Sequence, residues 1–171
     1  MSMKRLSLLL LILCAGCNGG SPEKRDTRAP GSAHKTPAGL KFRDMVGKPH
    51  DIDSLLGQGQ SVALIFWQTW CKPCLREMPA LVKADRRYSP RIRFYGIISG
   101  PDKDVDEAKV KKIVARLGVG YPQVRDRDLR LSRGFEVGGT PTIVILGPGG
   151  SILYRGHRPP DNWAVFTKRD G

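Results

Sequence analysis

The sequence lacks the features that identify several large classes of protein. No block repeats at a fixed period, and the 20 glycines and 13 prolines follow no regular spacing, which excludes solenoid and collagen-like folds. Beyond residue 17 there is no run of about 18 apolar residues, so no later segment is expected to cross a membrane as a helix. With 171 residues, 40% of them hydrophobic, the chain fits one globular domain with short appendages.

Acidic residues are scarce relative to basic ones. The chain has 29 lysines and arginines against 16 aspartates and glutamates, a formal net charge of +13. Basic and acidic residues alternate over 102–116 and 125–136, which is typical of solvated helix faces. Aromatic residues are not interleaved with basic ones, so we expect no nucleic-acid partner. Two alternatives stay open: a basic surface that attracts acidic partners or anionic lipid, and a generic basic surface.

The first 16 residues have the layout of an export signal. Lys4 and Arg5 form a positive start, residues 6–13 form an apolar run, and small residues precede Cys17. The segment LCAGC that ends at Cys17 resembles a bacterial lipoprotein signal, in which this cysteine becomes the lipidated first residue of the mature chain. A plain secretory signal is the alternative.

The next segment is expected to join a membrane anchor to the folded domain. Residues 17–39 comprise the predicted lipidated cysteine and a stretch rich in Gly, Ser, Pro, Lys and Arg, which has too few large apolar residues to form a core. The folded domain is predicted to occupy residues 40–171. We expect it to lie in the cell envelope, facing the periplasm or the extracytoplasmic space.

Only Cys71 and Cys74 follow the predicted lipidation site, out of four cysteines in the chain. A disulfide between residues three apart closes a very small loop and restricts the unfolded chain little, so the pair is poorly suited to a structural role. A structural zinc site needs four ligands, and the sequence has no second cysteine pair and only scattered histidines. We therefore expect no metal site and take the pair as the candidate reactive centre.

Hydrophobic periodicity and turn residues predict an α/β domain. The two central strands are expected at 60–67 and 92–98, and two hairpins at 40–52 and 142–154. Helices are expected at 73–88, 102–117, 128–135 and 161–168. Two details follow from single residues: Asp53 is expected to cap a short turn through Leu56, and Pro79 to kink the first long helix.

This order implies a mixed sheet covered on both faces, with the two central strands parallel through a right-handed crossover. The cysteine pair then lies where the first central strand leads into its helix. Open α/β sheets place their chemistry in such crevices, beyond the carboxyl ends of the strands.

The spacing of the cysteine pair has a physical reason. Residues i and i+3 at a helix start lie close enough for a disulfide that opens and closes with little backbone movement. Cys71 would face unpaired backbone N–H groups, and Lys72 adds a cation, so we expect a lowered pKa for this thiol. Pro73 suits the first turn, which needs no N–H there. Cys74 is expected to be more buried and less acidic.

The motifs together resemble the thioredoxin-like family. They are the string Trp70-Cys71-Lys72-Pro73-Cys74, the helix proline Pro79, and Gly139-Thr140-Pro141-Thr142 before a strand. The string WCKPCLREMPAL behind a lipoprotein-type signal is similar to the membrane-tethered TlpA/ResA-like thiol-disulfide oxidoreductases of that family. The resemblance covers about residues 60–157.

The resemblance implies a thioredoxin-like fold and a redox-active disulfide in place of a bound cofactor. It also implies a monomer that exchanges disulfides with cysteine-containing proteins, more often as a reductant supplied by a membrane thiol carrier and serving cytochrome c maturation. In the reductive direction, Cys71 attacks the substrate disulfide and Cys74 releases the product.

The resemblance assigns roles to further residues. Thr140 and a cis Pro141 would offer backbone to the substrate, and Trp70 would wall the site, with a core position as its alternative. Glu77 matches an acid that tunes the thiols in the TlpA/ResA-like branch, with a solvated helix glutamate as the alternative. The buried acid that thioredoxin carries on its central strand has no counterpart, because Ile65 occupies that position.

Two other classes compete with the oxidoreductase. A Cu(I)-binding module could use both cysteines as soft ligands, but it leaves the Thr-Pro loop unexplained. A peroxidase of the thioredoxin superfamily would place its reactive cysteine in another context than a Cys-x-x-Cys helix start. A disulfide isomerase is disfavoured because the sequence shows no second dimerisation domain.

Overall fold

The computed structural model describes Pro37 and residues 39–167. The predicted export signal, Cys17 and most of the predicted tether lie outside the described residues. Within the described part, no helix is long and apolar enough to cross a lipid bilayer.

A five-stranded mixed sheet forms the centre of the domain, in the order β5-β4-β3-β6-β7. Its strands are β3 (Ser61–Phe66), β4 (Ile92–Ser99), β5 (Gln123–Asp126), β6 (Thr142–Leu146) and β7 (Ile152–Gly156). Strands β3, β4 and β5 run parallel, and β6 is antiparallel to both β3 and β7. Every residue of β3 is buried, as expected for a strand covered on both faces.

Helices cover both faces of this sheet. They are α1 (Ile52–Gly57), α2 (Lys72–Tyr88), α3 (Glu107–Leu117) and α4 (Arg130–Gly134). One core contains the buried faces of α2 and α3, and Trp163 and Phe166 pack there as well. The other core contains side chains of α1 and α4 together with Leu40 and Phe135. The predicted thioredoxin-like architecture, a mixed sheet flanked by helices, is confirmed.

The predicted N-terminal hairpin is present, with strands shorter than expected. Strands β1 (Lys41–Arg43) and β2 (Pro49–Asp51) pair antiparallel. The hairpin joins the edge of the main sheet through a bridge between Asp44 and Val124, and the Met45 N–H donates to the Gln123 carbonyl at 2.7 Å.

Several element boundaries differ from the sequence-based predictions. The cap of α1 is Asp51, whose carboxylate accepts from the Ser54 N–H at 3.0 Å. Asp53 instead accepts from the N–H groups of Gly39 and Leu40, and so fixes the entry to the hairpin. The predicted 102–117 helix begins at Glu107, because the Asp106 side chain caps it at the Lys109 N–H; only a 3₁₀ turn lies at Asp102–Asp104.

The sequence analysis differs most from the structure at the edge strand β5 and at the last two helices. Strand β5 was not predicted, because its four residues, QVRD, have little periodic pattern. The predicted 128–135 helix has only five residues in α4, and the predicted final helix is a 3₁₀ helix at Trp163–Thr167. The end of that prediction, Lys168, lies outside the described residues.

A buried polar triad fixes the hairpin to the sheet. The Asp44 carboxylate lies 2.9 Å from His50 Nε2, and His50 Nδ1 lies 3.3 Å from the Tyr95 hydroxyl. Burial raises the pKa of the Asp44 carboxyl, but hydrogen bonds from His50 and from the N–H groups of Lys48 and Val46 outweigh burial, so the pKa lies below its usual value. The carboxylate therefore stabilises the fold in its charged form.

This triad predicts acid sensitivity. Because the folded-state pKa of Asp44 is lowered, its stabilisation is present above the unfolded-state pKa of about 4 and is lost as pH falls through the folded-state value. We expect Asp44→Asn to lower the free energy of unfolding by about 1 to 3 kcal/mol at neutral pH and to flatten its decline in acid. Urea unfolding as a function of pH checks this, with the exposed Asp104→Asn as control. An unchanged acid slope in Asp44→Asn contradicts it.

Candidate active site

The site begins where β3 ends at the carboxyl edge of the sheet. The Trp67 N–H donates to the Ile97 carbonyl at 3.0 Å, which continues the strand pairing by one residue. The chain then turns, and the Cys71 N–H donates to the Gln68 carbonyl at 3.1 Å. This turn places Cys71 at the mouth of α2, as the sequence predicts, although the helix begins at Lys72, one residue before the predicted start at Pro73.

Cys71 and Cys74 form a disulfide, with Cα atoms 5.3 Å apart. Cys71 is the N-cap of α2, and its Sγ accepts a hydrogen bond from the Cys74 N–H at 3.2 Å. This contact is the predicted one between the first sulfur and an otherwise unpaired N–H of the helix start. The predicted difference in burial is absent: the two residues are 3% and 2% exposed, because the α2 N-terminus packs against the sheet edge.

The motif residues close to the disulfide in sequence are mostly exposed to solvent. Lys72 and Pro73 are the first two residues of α2 and both face solvent. Trp70 is 69% exposed, so the alternative of a core tryptophan is wrong. Glu77 is half-buried on the second turn of the helix. Pro79 lies inside α2 and is exposed.

The Thr-Pro loop reaches the same edge of the sheet. Phe66 of β3 pairs with Thr142 of β6, so the residues just before Thr142 lie beside those just after Phe66. The Thr140–Pro141 peptide bond is cis, as the family resemblance implies. The Thr142 hydroxyl donates to the Gly139 carbonyl at 2.7 Å. Thr140 Oγ1 is buried and makes no hydrogen bond within the described part of the chain.

His157 is a neighbour of this loop that the sequence analysis did not select. Its Nδ1 lies 2.7 Å from the Pro141 carbonyl oxygen, which acts as the acceptor. The pairing of β7 with β6 makes this contact, because Gly156 lies opposite Ile143. The sequence does show a histidine shortly after a predicted strand at this edge of the sheet. Its contact with Pro141 could not be predicted, because that contact depends on the pairing register of β6 and β7.

Polar residues hold the turn before Cys71 from the side of β4. The Gln68 amide donates to the Ser99 carbonyl at 2.5 Å, and the hydroxyls of Ser99 and Ser132 are 2.6 Å apart. Asp126 is buried and accepts from the N–H and the hydroxyl of Ser132 at 2.8 and 2.7 Å. Sequence reasoning missed these residues, although Ser99 and Asp126 both end strands at the active edge.

A second network of buried hydrogen bonds links the end of β3 to β5 and α2. Trp67 Nε1 donates to Gln123 Oε1 at 3.0 Å, and the Gln123 amide donates to the Tyr121 carbonyl at 2.9 Å. The Tyr121 hydroxyl donates to the Met78 sulfur at 3.0 Å, and burial raises the pKa of Tyr121 above its usual value. Met78 belongs to the core, as predicted, with Leu81 and Val82.

The arrangement favours two-electron thiol chemistry at one pair of sulfurs. The described residues contain no group of three His, Cys, Asp or Glu side chains that could hold a metal ion. The two cysteines are bonded to each other at a helix start, where backbone N–H groups such as that of Cys74 would stabilise negative charge on the Cys71 sulfur once the disulfide is reduced.

Comparisons with known proteins agree with this geometry. The model of the AhpC/TSA family matches residues 33–155. The thiol-disulfide oxidoreductase ResA of Bacillus thuringiensis is 32% identical over 111 residues, which are 64% of this chain and 61% of ResA. The chain thus matches less than two thirds of the length of this relative.

Two solved structures show the same fold. A thiol:disulfide interchange protein of the thioredoxin family from Chlorobium tepidum has 26% identity and a TM-score of 0.62, over 76% of this chain and 90% of that one. StoA from Bacillus subtilis has 20% identity and a TM-score of 0.60, over 71% and 88% of the two chains. By sequence and by architecture, this chain belongs to the AhpC/TSA family and has a thioredoxin-like fold.

Proposed function

We propose that the protein is a thiol-disulfide oxidoreductase that exchanges dithiol and disulfide with cysteine-containing proteins. The observation that carries the proposal is the disulfide between Cys71 and Cys74 at the start of α2, at the same sheet edge as the cis Thr140–Pro141 bond. A bond across three residues contributes little to stability, so its value lies in opening and closing.

In the reductive direction two electrons pass from the cysteine pair to the substrate. The Cys71 thiolate attacks one sulfur of the substrate disulfide, forms a mixed disulfide and releases the other sulfur as a thiolate. The Cys74 thiolate then attacks Cys71 Sγ, which reforms the Cys71–Cys74 bond and releases the second substrate thiolate. A dithiol carrier in the membrane restores the reduced pair by the reverse exchange.

Each step has a candidate residue. The Cys74 N–H, which contacts Cys71 Sγ at 3.2 Å, stabilises the thiolate that starts the reaction. Lys72 adds positive charge beside it, and Pro73 fixes the first turn. The backbone at Thr140 and Pro141 aligns the substrate chain, and the exposed Trp70 ring walls the site. Glu77, half-buried on the second turn, takes the proton released at the thiols.

We also propose that the protein acts outside the cytoplasm, anchored by a lipid on Cys17. The lipoprotein-type signal supports this location. The resemblance to the TlpA/ResA-like branch favours the reductive direction, with cytochrome c maturation as one use. The protein would work as a monomer, since one chain supplies the whole Cys71–Cys74 site.

A covalent trap tests the proposal. In Cys74→Ser the mixed disulfide on Cys71 cannot be resolved, so substrates accumulate on the protein. We expect exported cysteine-containing proteins and a membrane thiol carrier to be recovered from the membrane fraction of the native host. Mass spectrometry after non-reducing separation identifies them, and the Cys71→Ser, Cys74→Ser double variant is the control. An empty trap under both oxidising and reducing conditions contradicts the proposal.

Assays on the reduced wild-type protein separate the oxidoreductase from the two competing classes. A reduced wild-type protein that holds Cu(I) tightly but does not reduce insulin favours the copper module. Consumption of peroxide without disulfide reduction favours the peroxidase. Reduction of insulin disulfides with neither of these properties supports the oxidoreductase.

A further inference from the structure

Basic side chains flank the disulfide along α2. Lys72 and Arg76 are exposed and four positions apart, so they lie on one stripe of the helix surface. Lys72 directly follows Cys71, and Arg76 is one turn further on. The acid on these first turns is Glu77, which is half-buried, whereas both basic side chains face solvent.

A third basic residue lies on the other side of the site. His157 Nδ1 contacts the Pro141 carbonyl at 2.7 Å, which places the next residue, Arg158, just beyond the cis-proline loop. The Arg158 carbonyl accepts from the Tyr154 hydroxyl at 2.7 Å, so the backbone at this point is held, and the Arg158 side chain is exposed. Lys72 and Arg76 thus lie on the α2 side of the disulfide, and Arg158 lies on the side of the cis-proline loop.

The acids at Asp102 and Glu107, before and at the start of α3, are paired with other arginines. Asp102 and Glu107 each bond to both Arg125 and Arg127, at 2.7 to 3.3 Å. The hydrogen bond from Arg127 lowers the pKa of Asp102, so this acid stays charged and paired. Two exposed acids lie on the loop side of the site, Glu136 before the cis-proline loop and Asp161 three residues after Arg158.

We propose that this basic rim, defined as Lys72, Arg76 and Arg158, selects substrates whose cysteines are flanked by aspartate or glutamate. The inference rests on the proposed oxidoreductase function and names its substrate class. Exposed charges at the edge of a binding site act mainly on the rate of association and on partner choice. An acidic flank is attracted to the rim and a basic flank is repelled, while Trp70 supplies apolar contact to either.

Single-turnover kinetics test this inference. The reduced full-length protein is mixed with three disulfide-bonded peptides that differ only in flanking residues, which are acidic, serine or basic. We expect the second-order rate constant for the acidic peptide to exceed that for the basic one by about 10-fold or more at low ionic strength. The ratio should shrink when the salt concentration is raised to about 0.5 M, because exposed charges are screened.

Charge reversal locates the effect. The double variant Arg76→Glu, Arg158→Glu should invert the preference, so that the basic peptide reacts faster than the acidic one. The control is Lys83→Glu, which reverses one charge where the double variant reverses two. Lys83 is exposed on the same stripe of α2, about 10 Å beyond Arg76 along the helix axis. It changes the net charge with the same sign but lies away from the site, so the wild-type preference should persist.

The outcomes separate this inference from the proposed function. Equal rates for the acidic and basic peptides in the wild type, or an equal loss of preference in Lys83→Glu and in the double variant, overturn the basic rim while disulfide reduction stands. Failure of the wild type to reduce any of the three peptides overturns the proposed function, and the substrate class with it.

Discussion

Cys71→Ser is expected to lower the second-order rate constant for disulfide reduction by about 1,000-fold or more, because a serine hydroxyl is not ionised near neutral pH and cannot replace the attacking thiolate. The local structure should survive, since Cys71 caps α2 and serine is a good N-cap residue. Insulin reduction with circular dichroism on the same samples provides the measurement.

Cys74→Ser is the matched control for this prediction. It removes the same disulfide and one buried sulfur, but it leaves the first attack possible. It should therefore form the mixed disulfide in a rapid first step and stop there, whereas Cys71→Ser should show no such step. If Cys71→Ser retained the first step and Cys74→Ser lost it, the roles of the two cysteines would be reversed.

Gly96→Ala is expected to destabilise the domain by about 3 kcal/mol, which corresponds to a fall in Tm of roughly 10 °C. A Cβ at this position of β4 would lie 2.7 Å from Gln123 Cδ and closer still to Oε1. The Gln123 amide would have to move and give up its contacts with Trp67 Nε1 and the Tyr121 carbonyl. Trp67 is fully buried, so its N–H would have no water to replace the lost acceptor.

Gly57→Ala is the control for this substitution. Gly57 ends α1, its φ is not in the left-handed region, and a Cβ there meets nothing within 4 Å. Its Tm should stay close to that of the wild type. Differential scanning calorimetry of both variants measures the difference, and an equally small effect of Gly96→Ala would contradict the close packing of Gln123 against β4.

The predictions that succeeded concern long, strongly patterned segments. The β3 region is apolar throughout, and the α2 region has a helical stripe with a cysteine at its start, so both types of element could be inferred from the residues alone. The Cys71–Cys74 bond could be expected from the spacing of the two cysteines, and the cis Pro141 only from the resemblance to the thioredoxin-like family. In each of these segments, the conformation that the local residues favour is also the one that the overall fold requires.

The failures have a common physical cause. Strand β5 is held by pairing with β4 and by the hairpin bridge from Asp44, and such non-local contacts leave no periodic pattern in four residues. The choice between Asp51 and Asp53 as the cap of α1 depends on where the hairpin ends, because both are good capping residues.

The site residues that the sequence analysis missed are also held by contacts between residues far apart in sequence. His157 and Gln68 support the loop and the turn through contacts 16 and 31 positions away in sequence, so only the strand register reveals them. The equal burial of the two cysteines also depends on tertiary packing at the helix start. Sequence reasoning could identify the reactive pair, but it could not identify the groups that hold it in place.

The pH dependence of alkylation in the reduced wild-type protein tests the central claim most directly. Iodoacetamide labelling of each cysteine is followed by mass spectrometry between about pH 5 and 9, a range that includes the ordinary thiol pKa of about 8.5. The helix-start position predicts that Cys71 reacts as a thiolate well below that pKa and faster than Cys74. If both cysteines react equally slowly at neutral pH, and the labelling of each follows the ordinary thiol pKa, then the proposed role of Cys71 as the attacking thiolate is wrong.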